Sequence, residues 1–363
     1  LSVIYTMLVE ATLTDVSDMA GEAGFSFGVE RDDRGISLFF VGYSDKINDL
    51  LETVIKGLVT VFRDSALLND IKADLLADYS NLLNGSSYDL AMYQKSNLLH
   101  AKNIHFSKYI DDLPAITLAV INSFVLNIYK KIYIESHSYG NISPVKLIKI
   151  KDFIFESLKA SSLPELMLPK DQIINLNEGE TYECALKIDS TDNCWASFFE
   201  FGQRSIKLSA IIQLGSVMLE PFFFNYMRNK KQIAYVVETR LDFFEEVLGL
   251  SFSVLSDKYN PQKIAEEADK ALLMFLADLD KISEEQLCNN KKALINKIKK
   301  TNRTLEEWMS EVVLTATLKG DQMYGNKLAA EIESLTIADI KEVFSKTFNK
   351  KTRKCVSVRV TGN

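Results

Sequence analysis

Histidine and cysteine are scarce in this chain of 363 residues, with three of the first and four of the second. Cys184, Cys194, Cys288 and Cys355 form no CxxC pair. That argues against a metal knuckle, a thiol redox motif and a disulfide framework, and leaves buried reduced thiols as the expectation. His100 and His105 have no acid between them, and His137 sits in "HSYGN", at the expected end of a strand. None forms HxxEH or HExxH, the helical arrangements in which two imidazoles hold a metal and a carboxylate activates its water. Solvated or hydrogen-bonded loop histidines are expected instead. A basic excess is also missing: 42 basic against 49 acidic residues give a net charge of −7. This argues against a nucleic-acid partner, though not against local basic patches. No uninterrupted apolar run reaches the roughly 20 residues that span a bilayer. "LPAITLAVINSFVLNIY" comes nearest, is interrupted by Thr117, Asn122, Ser123 and Asn127, and reads as a buried helix. The first residues, "LSVIYTMLVEATL", lie inside an apolar helical pattern without the basic leader of a signal peptide. Such a start suggests a piece of something longer.

What the chain does contain is the composition of a globular protein, 47% apolar and 25% charged, with length enough for two cores. It also contains a repeat. "SDK" occurs at Ser44–Lys46 and at Ser256–Lys258, an offset of 212. A Gly-led apolar run precedes each copy, "GISLFFVGYSDK" and "GLSFSVLSDK", and reads as a strand. An amphipathic helix follows each. Its apolar face is Ile47, Leu50, Leu51, Val54, Leu58 and Val61 in the first copy, and Ile264, Ala268, Ala271, Leu272, Phe275 and Leu279 in the second. Upstream, "LVEATLTDVSDMAGEAGFSFGV" and "SVMLEPFFFNYMRNKKQIAYVV" both run from helix into strand, with Gly24 set against Ala234. Three more helical segments follow in each half. Each half then closes on a strand, "KIYIESHSYGN" and "KCVSVRVTG". "SSLPELMLPKDQ", with Pro164 and Pro169, reads as the linker.

This order predicts an α+β chain of two homologous domains, 1–168 and 169–363. Each is expected to be an antiparallel sheet with helices packed on one face. The second half has strand-like sequence, "ETYECALKIDSTDNCWASFFEFG", before its first helix, and the first half has none. The first domain is therefore expected to lack its opening strands.

The order of elements and several motifs together resemble the C-terminal half of insulin-degrading enzyme and its pitrilysin-type relatives, nearly end to end. The segments are "YTMLVEATLTDVSDMAGEAGFSF", "VGYSDK", "AMYQKSNLL", "SYGNIS", "DNCWASFFEFG", "EPFFFNYMRNKKQIAYVV" and "GLSFSVLSDK". The most specific is Glu220–Val237, which follows the pattern E-P-x-F…R-x-K-x-Q-x-x-Y. The resemblance implies a processing-peptidase-like metallohydrolase fold, with domains three and four of a four-domain zinc endopeptidase. Its zinc would be held by the N-terminal half and none by this chain. Its partners would be that catalytic half and peptide substrates, with no nucleic acid and no membrane; a homodimer stays open. This chain by itself is expected to be inactive.

The resemblance also implies roles. Arg228 and Tyr235 match the Arg and Tyr that hold the substrate backbone and help to stabilise the oxyanion, with Lys230 and Gln232 completing the motif. A guanidinium and a phenol can both donate to an oxygen whose charge grows in the transition state. The alternative is local: Arg228 and Lys230 favour a helix C-terminus, and Tyr235 packs into the sheet. Ala234 stands where close relatives have Gly, and its Cβ is expected to shift the strand slightly. Lys291, Lys292, Lys297, Lys299, Lys300 and Arg303 form a basic cluster. Lys297, Lys299, Lys300 and Arg303 are candidates for an anion such as a polyphosphate, against a solvated helix face. Phe222–Phe224 and Trp308 are expected in packing. A competing function is a catalytically inactive structural, core-subunit-like or peptide-binding homologue.

Overall fold

The computed structural model describes residues 1–32, 35–168, 172–244, 247–300, 304, 307 and 324–363. The chain separates into two compact units. One is Leu1–Tyr79 with Phe106–Lys170, and the other is Ser80–His105 with Asp171–Asn363. The chain passes from one to the other near the expected linker, but the segment 80–105 of the first half folds with the second unit. Apart from Thr304 and Glu307, the expected helix "TLEEWMSEVVLTATL" lies outside the described residues, and so does Trp308.

The first unit is mostly helical. Its elements are α1 (Ser2–Thr12), α2 (Thr14–Glu22), α3 (Ile47–Leu58) and most of α4 (Ser65–Asn84). After α5 (Ser87–Leu99), which belongs to the second unit, come α6 (Phe106–Asp112), α7 (Leu118–Ile128) and α8 (Pro144–Ser157). α1 places Ile4, Tyr5, Leu8 and Val9 on one buried face, the i, i+4 spacing of an amphipathic helix. At the centre the Tyr5 hydroxyl donates to the Leu58 carbonyl at 2.8 Å. Its oxygen lies 2.6 Å from the Tyr129 hydroxyl. The strands β1 (Ser26–Arg31) and β2 (Ile36–Val41) form an antiparallel hairpin, with Ser26 opposite Val41. The expected closing strand "KIYIESHSYGN" shrinks to β3 (Lys131–Ile132), paired in parallel with β4 (Ser161–Ser162). The first unit thus has a hairpin and a two-residue ladder rather than one antiparallel sheet. The expected helix over 113–129 is also shorter. A 3₁₀ turn at Leu113–Ala115 precedes α7, which buries Ile121 and Val125 but exposes Val120 and Leu126.

The second unit is built on five strands in the order β5 (Thr181–Lys187), β9 (Lys354–Thr361), β6 (Asn193–Gln203), β8 (Val247–Ser256), β7 (Val236–Phe243). Neighbours are antiparallel except β5 and β9, which run parallel. The wholly antiparallel expectation fails there because the last strand inserts between the first two. Trp195 and Phe199 on β6, and Leu248, Leu250, Phe252 and Val254 on β8, face the main core. Cys194, Ala196, Phe198 and Leu255 alternate to the other side. The main core lies under α9 (Ile206–Phe224), α10 (Pro261–Leu279), α11 (Glu284–Ile298), α12 (Tyr324–Ser334) and α13 (Ile337–Phe348). Leu90 and Ala91 of α5 cover the opposite side. Helices therefore pack on both faces, which is why "NCWASFF" is apolar at consecutive positions rather than at alternate ones.

α9 is the central helix. The Ser205 hydroxyl caps it by accepting from the Leu208 N–H at 3.1 Å. Gly215 lets α13 approach: a Cβ there would stand 2.3 Å from a ring atom of Phe344. With its continuation to Lys230, this helix is 25 residues long and apolar enough, by length and composition, to cross a bilayer. Half of its most apolar window is buried in the fold. Among the described residues it, rather than Leu113–Tyr129, comes nearest to such a span.

Candidate functional site at the end of the central helix

α9 does not stop at Phe224. Pro221 removes one backbone donor inside it. The helix then widens into a π-turn over Asn225–Lys230, closed by the Lys231 N–H on the Tyr226 carbonyl at 2.9 Å. Single π-turns place side chains at angles that a regular helix does not reach. Arg228 lies in this turn, exposed, with its guanidinium 5.4 Å from the Phe224 ring centre. Gln232 then takes a left-handed φ of +52°, a conformation unfavourable for a side-chain-bearing residue. The Ile233 N–H bonds the Met227 carbonyl at 3.0 Å, and the Tyr235 N–H bonds the Leu255 carbonyl at 3.1 Å. The chain is thereby folded back sharply into β7. Ala234 is buried and is not among the left-handed residues. Its Cβ therefore carries no backbone strain, and the unusual dihedral falls two residues earlier than Gly24 would suggest.

Arg228, Gln232, Ile233, Ala234, Tyr235, Asp257 and Lys258 line one open depression of about 400 Å³. Arg228 and Tyr235, which the motif sets seven residues apart, thus share one surface. Tyr235 is 42% exposed. Burial of its phenol, then a hydrogen bond to the Asp192 carboxylate and the charge of Asp257, push its pKa up to about 12. The phenol is therefore neutral at neutral pH, with its single O–H directed at Asp192. Asp257 and Lys258 come from the second "SDK". There Ser256 Oγ accepts from the N–H groups of Lys258 and Tyr259, at 3.2 and 3.0 Å, and turns the chain out of β8. In the first copy the carbonyl of Ser44 instead accepts from Lys146 Nζ at 3.3 Å.

A second hollow of about 250 Å³ is lined by Glu220, Pro221, Phe224, Val237 and Thr239. Phe222 and Phe223 pack in the core as expected, but Phe224 is 37% exposed and forms a wall of this hollow. Tyr235, Val237 and Thr239 follow the alternation of β7, so the two hollows follow one face of a strand at the sheet's edge.

The other candidates are dispersed. Lys297 lies in the last turn of α11, Lys299 caps it, and Lys300 follows it; all three are exposed. Arg303 lies outside the described residues. Lys291 Nζ is engaged on the Glu333 carbonyl at 3.0 Å. The His100 ring lies 5.5 Å from Phe244, and His105 lies 5.4 Å from Tyr93. His137 lies 3.3 Å from Glu135, in no regular element. Cys194 and Cys355 are buried and pushed by burial up to about 12. Cys288 is exposed, against the expectation of buried thiols. Among the described residues no three His, Cys, Asp or Glu side chains gather where a metal could sit. The described residues do not make a zinc site.

Two family models match. Residues 1–112 match the middle or third domain of peptidase M16. Residues 214–313 match the C-terminal lobe domain 4 of the PQQ synthase PqqF-like type. Among curated proteins, the peroxisomal insulin-degrading enzyme-like 1 of Arabidopsis thaliana is 23% identical, over 99% of this chain and 38% of its own length. Among solved structures, pitrilysin superposes with a TM-score of 0.88 at 18% identity, over 99% of this chain and 38% of that one. The peptidase M16 inactive domain of Pseudomonas fluorescens superposes with a TM-score of 0.71 at 13% identity, over 99% and 87%. The fold is that of the α+β M16 peptidases, and the chain belongs to that family as its third and fourth domains. It spans about two fifths of the length of the Arabidopsis relative.

Proposed function

We propose that this chain is the non-catalytic half of an insulinase-type zinc endopeptidase. It forms part of the substrate chamber and presents Arg228 and Tyr235 to a peptide near a zinc that the N-terminal half holds. The observation that carries this is the shared depression: a π-turn, a left-handed Gln232 and the edge strand β7 bring the two side chains to one surface. Strained backbone at an exposed polar cluster is characteristic of a functional site. An exposed guanidinium suits a peptide carbonyl on which negative charge develops, and the Tyr235 phenol joins it by turning its one O–H from Asp192 to that oxygen. The hollow walled by Phe224 and Val237 suits an apolar side chain of an extended peptide lying along the β7 edge.

The test is made in the full-length protein. Arg228→Ala should lower kcat/KM for peptide cleavage by about 10²-fold, the scale of losing one oxyanion donor. Tyr235→Phe should lower it by about tenfold. Full turnover in both variants would end the assisting role. A second reading, an inactive peptide-binding or structural homologue, is favoured by the likeness to the inactive domain from Pseudomonas fluorescens. It requires that the full-length protein lack HxxEH upstream and cleave no peptide.

A further inference from the structure

The turn that carries Arg228 is tied at both ends to one buried carboxylate. Glu267 lies in the middle of α10 and is only 5% exposed. Its Oε1 is taken by lysines of its own helix, Lys270 at 2.6 Å and Lys263 at 3.2 Å. Its Oε2 faces the π-turn. There it accepts the Tyr226 hydroxyl at 3.2 Å and lies 3.9 Å from Lys231 Nζ. Lys231 in turn stands 5.6 Å from the Tyr226 ring centre, and its N–H closes the turn on the Tyr226 carbonyl at 2.9 Å. Residues 226 and 231 are thus joined by a backbone bond, a cation–π contact and a shared carboxylate, with Arg228 between them. Hydrogen bonding from Lys270 above all, with Lys263 and Tyr226, holds the Glu267 carboxyl down at about 2, so it is ionised throughout the neutral range.

A carboxylate so deeply buried has to be paired. The two helix lysines would satisfy that need. The contacts to Tyr226 and Lys231 go further, and their geometric effect is to fix the turn. Such fixing matters because a π-turn has weaker hydrogen-bond geometry than an α-helix. A misplacement of about 1 Å at a substrate contact can cost on the order of 10²-fold in rate. We propose that Glu267 is a positioning residue: it clamps the π-turn and so aims Arg228 into the depression it shares with Tyr235. Its bearing on catalysis rests on the reading of Arg228 and Tyr235 given above.

Two variants test it. Glu267→Gln removes the charge, and Tyr226→Phe removes only the hydroxyl on the turn side, leaving the α10 lysine pairs intact. In this chain, amide hydrogen exchange over residues 226–235 should accelerate at least about tenfold in each, since exchange reports local opening. Glu267→Asp should restore part of the protection. In the full-length protein kcat should fall about five- to tenfold with KM within about twofold, the signature of an interaction made in the transition state. In an Arg228→Ala background the added Glu267→Gln should change kcat by less than about twofold, because coupled positions are not additive. Unchanged exchange in both variants overturns the clamp. Faster exchange in a protein whose kcat is indifferent to Arg228→Ala keeps the clamp and overturns the catalytic reading instead.

Discussion

Lys95 of α5 is only 2% exposed, and its ammonium lies under the sheet of the second unit. Nζ donates to Ser251 Oγ at 2.6 Å and stands 3.9 Å from Asp242 Oδ2. Ser251 Oγ donates to the same carboxylate, and Arg240 Nε binds its other oxygen at 2.7 Å. Burial pulls Lys95 down to about 8, opposed by Asp242. Asp242→Asn should remove a Coulomb attraction of about 4 kcal/mol at 3.9 Å and an effective dielectric of about 20. Lys95 does not bear that full cost, because it can release its proton. At pH 7, one pH unit below about 8, release costs about 1.4 kcal/mol. The weakened bonds to Ser251 and Arg240 add about 1 kcal/mol. The expected loss at pH 7 is therefore about 2–3 kcal/mol. At pH 9 both proteins hold a neutral Lys95, so the loss should shrink to about 1 kcal/mol. The sign for the unaltered protein agrees. A lysine whose folded pKa lies below its unfolded value favours unfolding at low pH, so stability should rise from about pH 8 towards 10.5. Urea unfolding followed by the emission of buried Trp195 reads this unit. A loss that is equal at pH 7 and pH 9, or below about 0.5 kcal/mol at both, would refute the reasoning.

Four further outcomes are expected. Asp192→Asn should lower the Tyr235 pKa from about 12, and difference absorbance of tyrosinate against a Tyr235→Phe control measures it. On the acid side, Glu267 has a folded pKa below its unfolded value, so its contribution is present above about 4.5 and lost as pH falls towards about 2. Glu267→Gln should flatten that limb of the stability–pH curve. Gly215→Ala should cost about 1–3 kcal/mol in urea unfolding, because the Phe344 ring must move. If the exposed lysines after α11 accept polyphosphate, the pair Lys297→Glu and Lys300→Glu should weaken triphosphate binding measured by calorimetry at least about tenfold.

The relation between sequence and structure differs from one element to the next. The repeat around "SDK" found both hairpins because strand alternation and helical periodicity are local properties. It found the buried face of α10 for the same reason. Arg228 and Tyr235 were legible as a motif, and the structure brings them to one depression. Asp192, Asp257, Lys258 and Glu267 were not singled out. Each is an ordinary surface-type residue in its own segment and acquires a role only from what another segment places beside it. The one available signal is the second "SDK", which marks the repeat but carries no mark of a wall of the site. α9 was legible as a helix, but its π-turn was not, since periodicity does not report a single extra residue in one turn.

The sequence by itself determined the α+β class, the central helix and the motif that joins Arg228 to Tyr235. These rest on spacing within short stretches. The tertiary structure alone decided that residues 80–105 belong to the second unit, that β9 inserts beside β5 in parallel, and that Glu267 reaches the turn. An apolar helical face declares that it must be covered, but not by which surface. That choice belongs to the packing of segments far apart in the chain, where shape and the pairing of buried charge select one partner among several of like hydrophobicity.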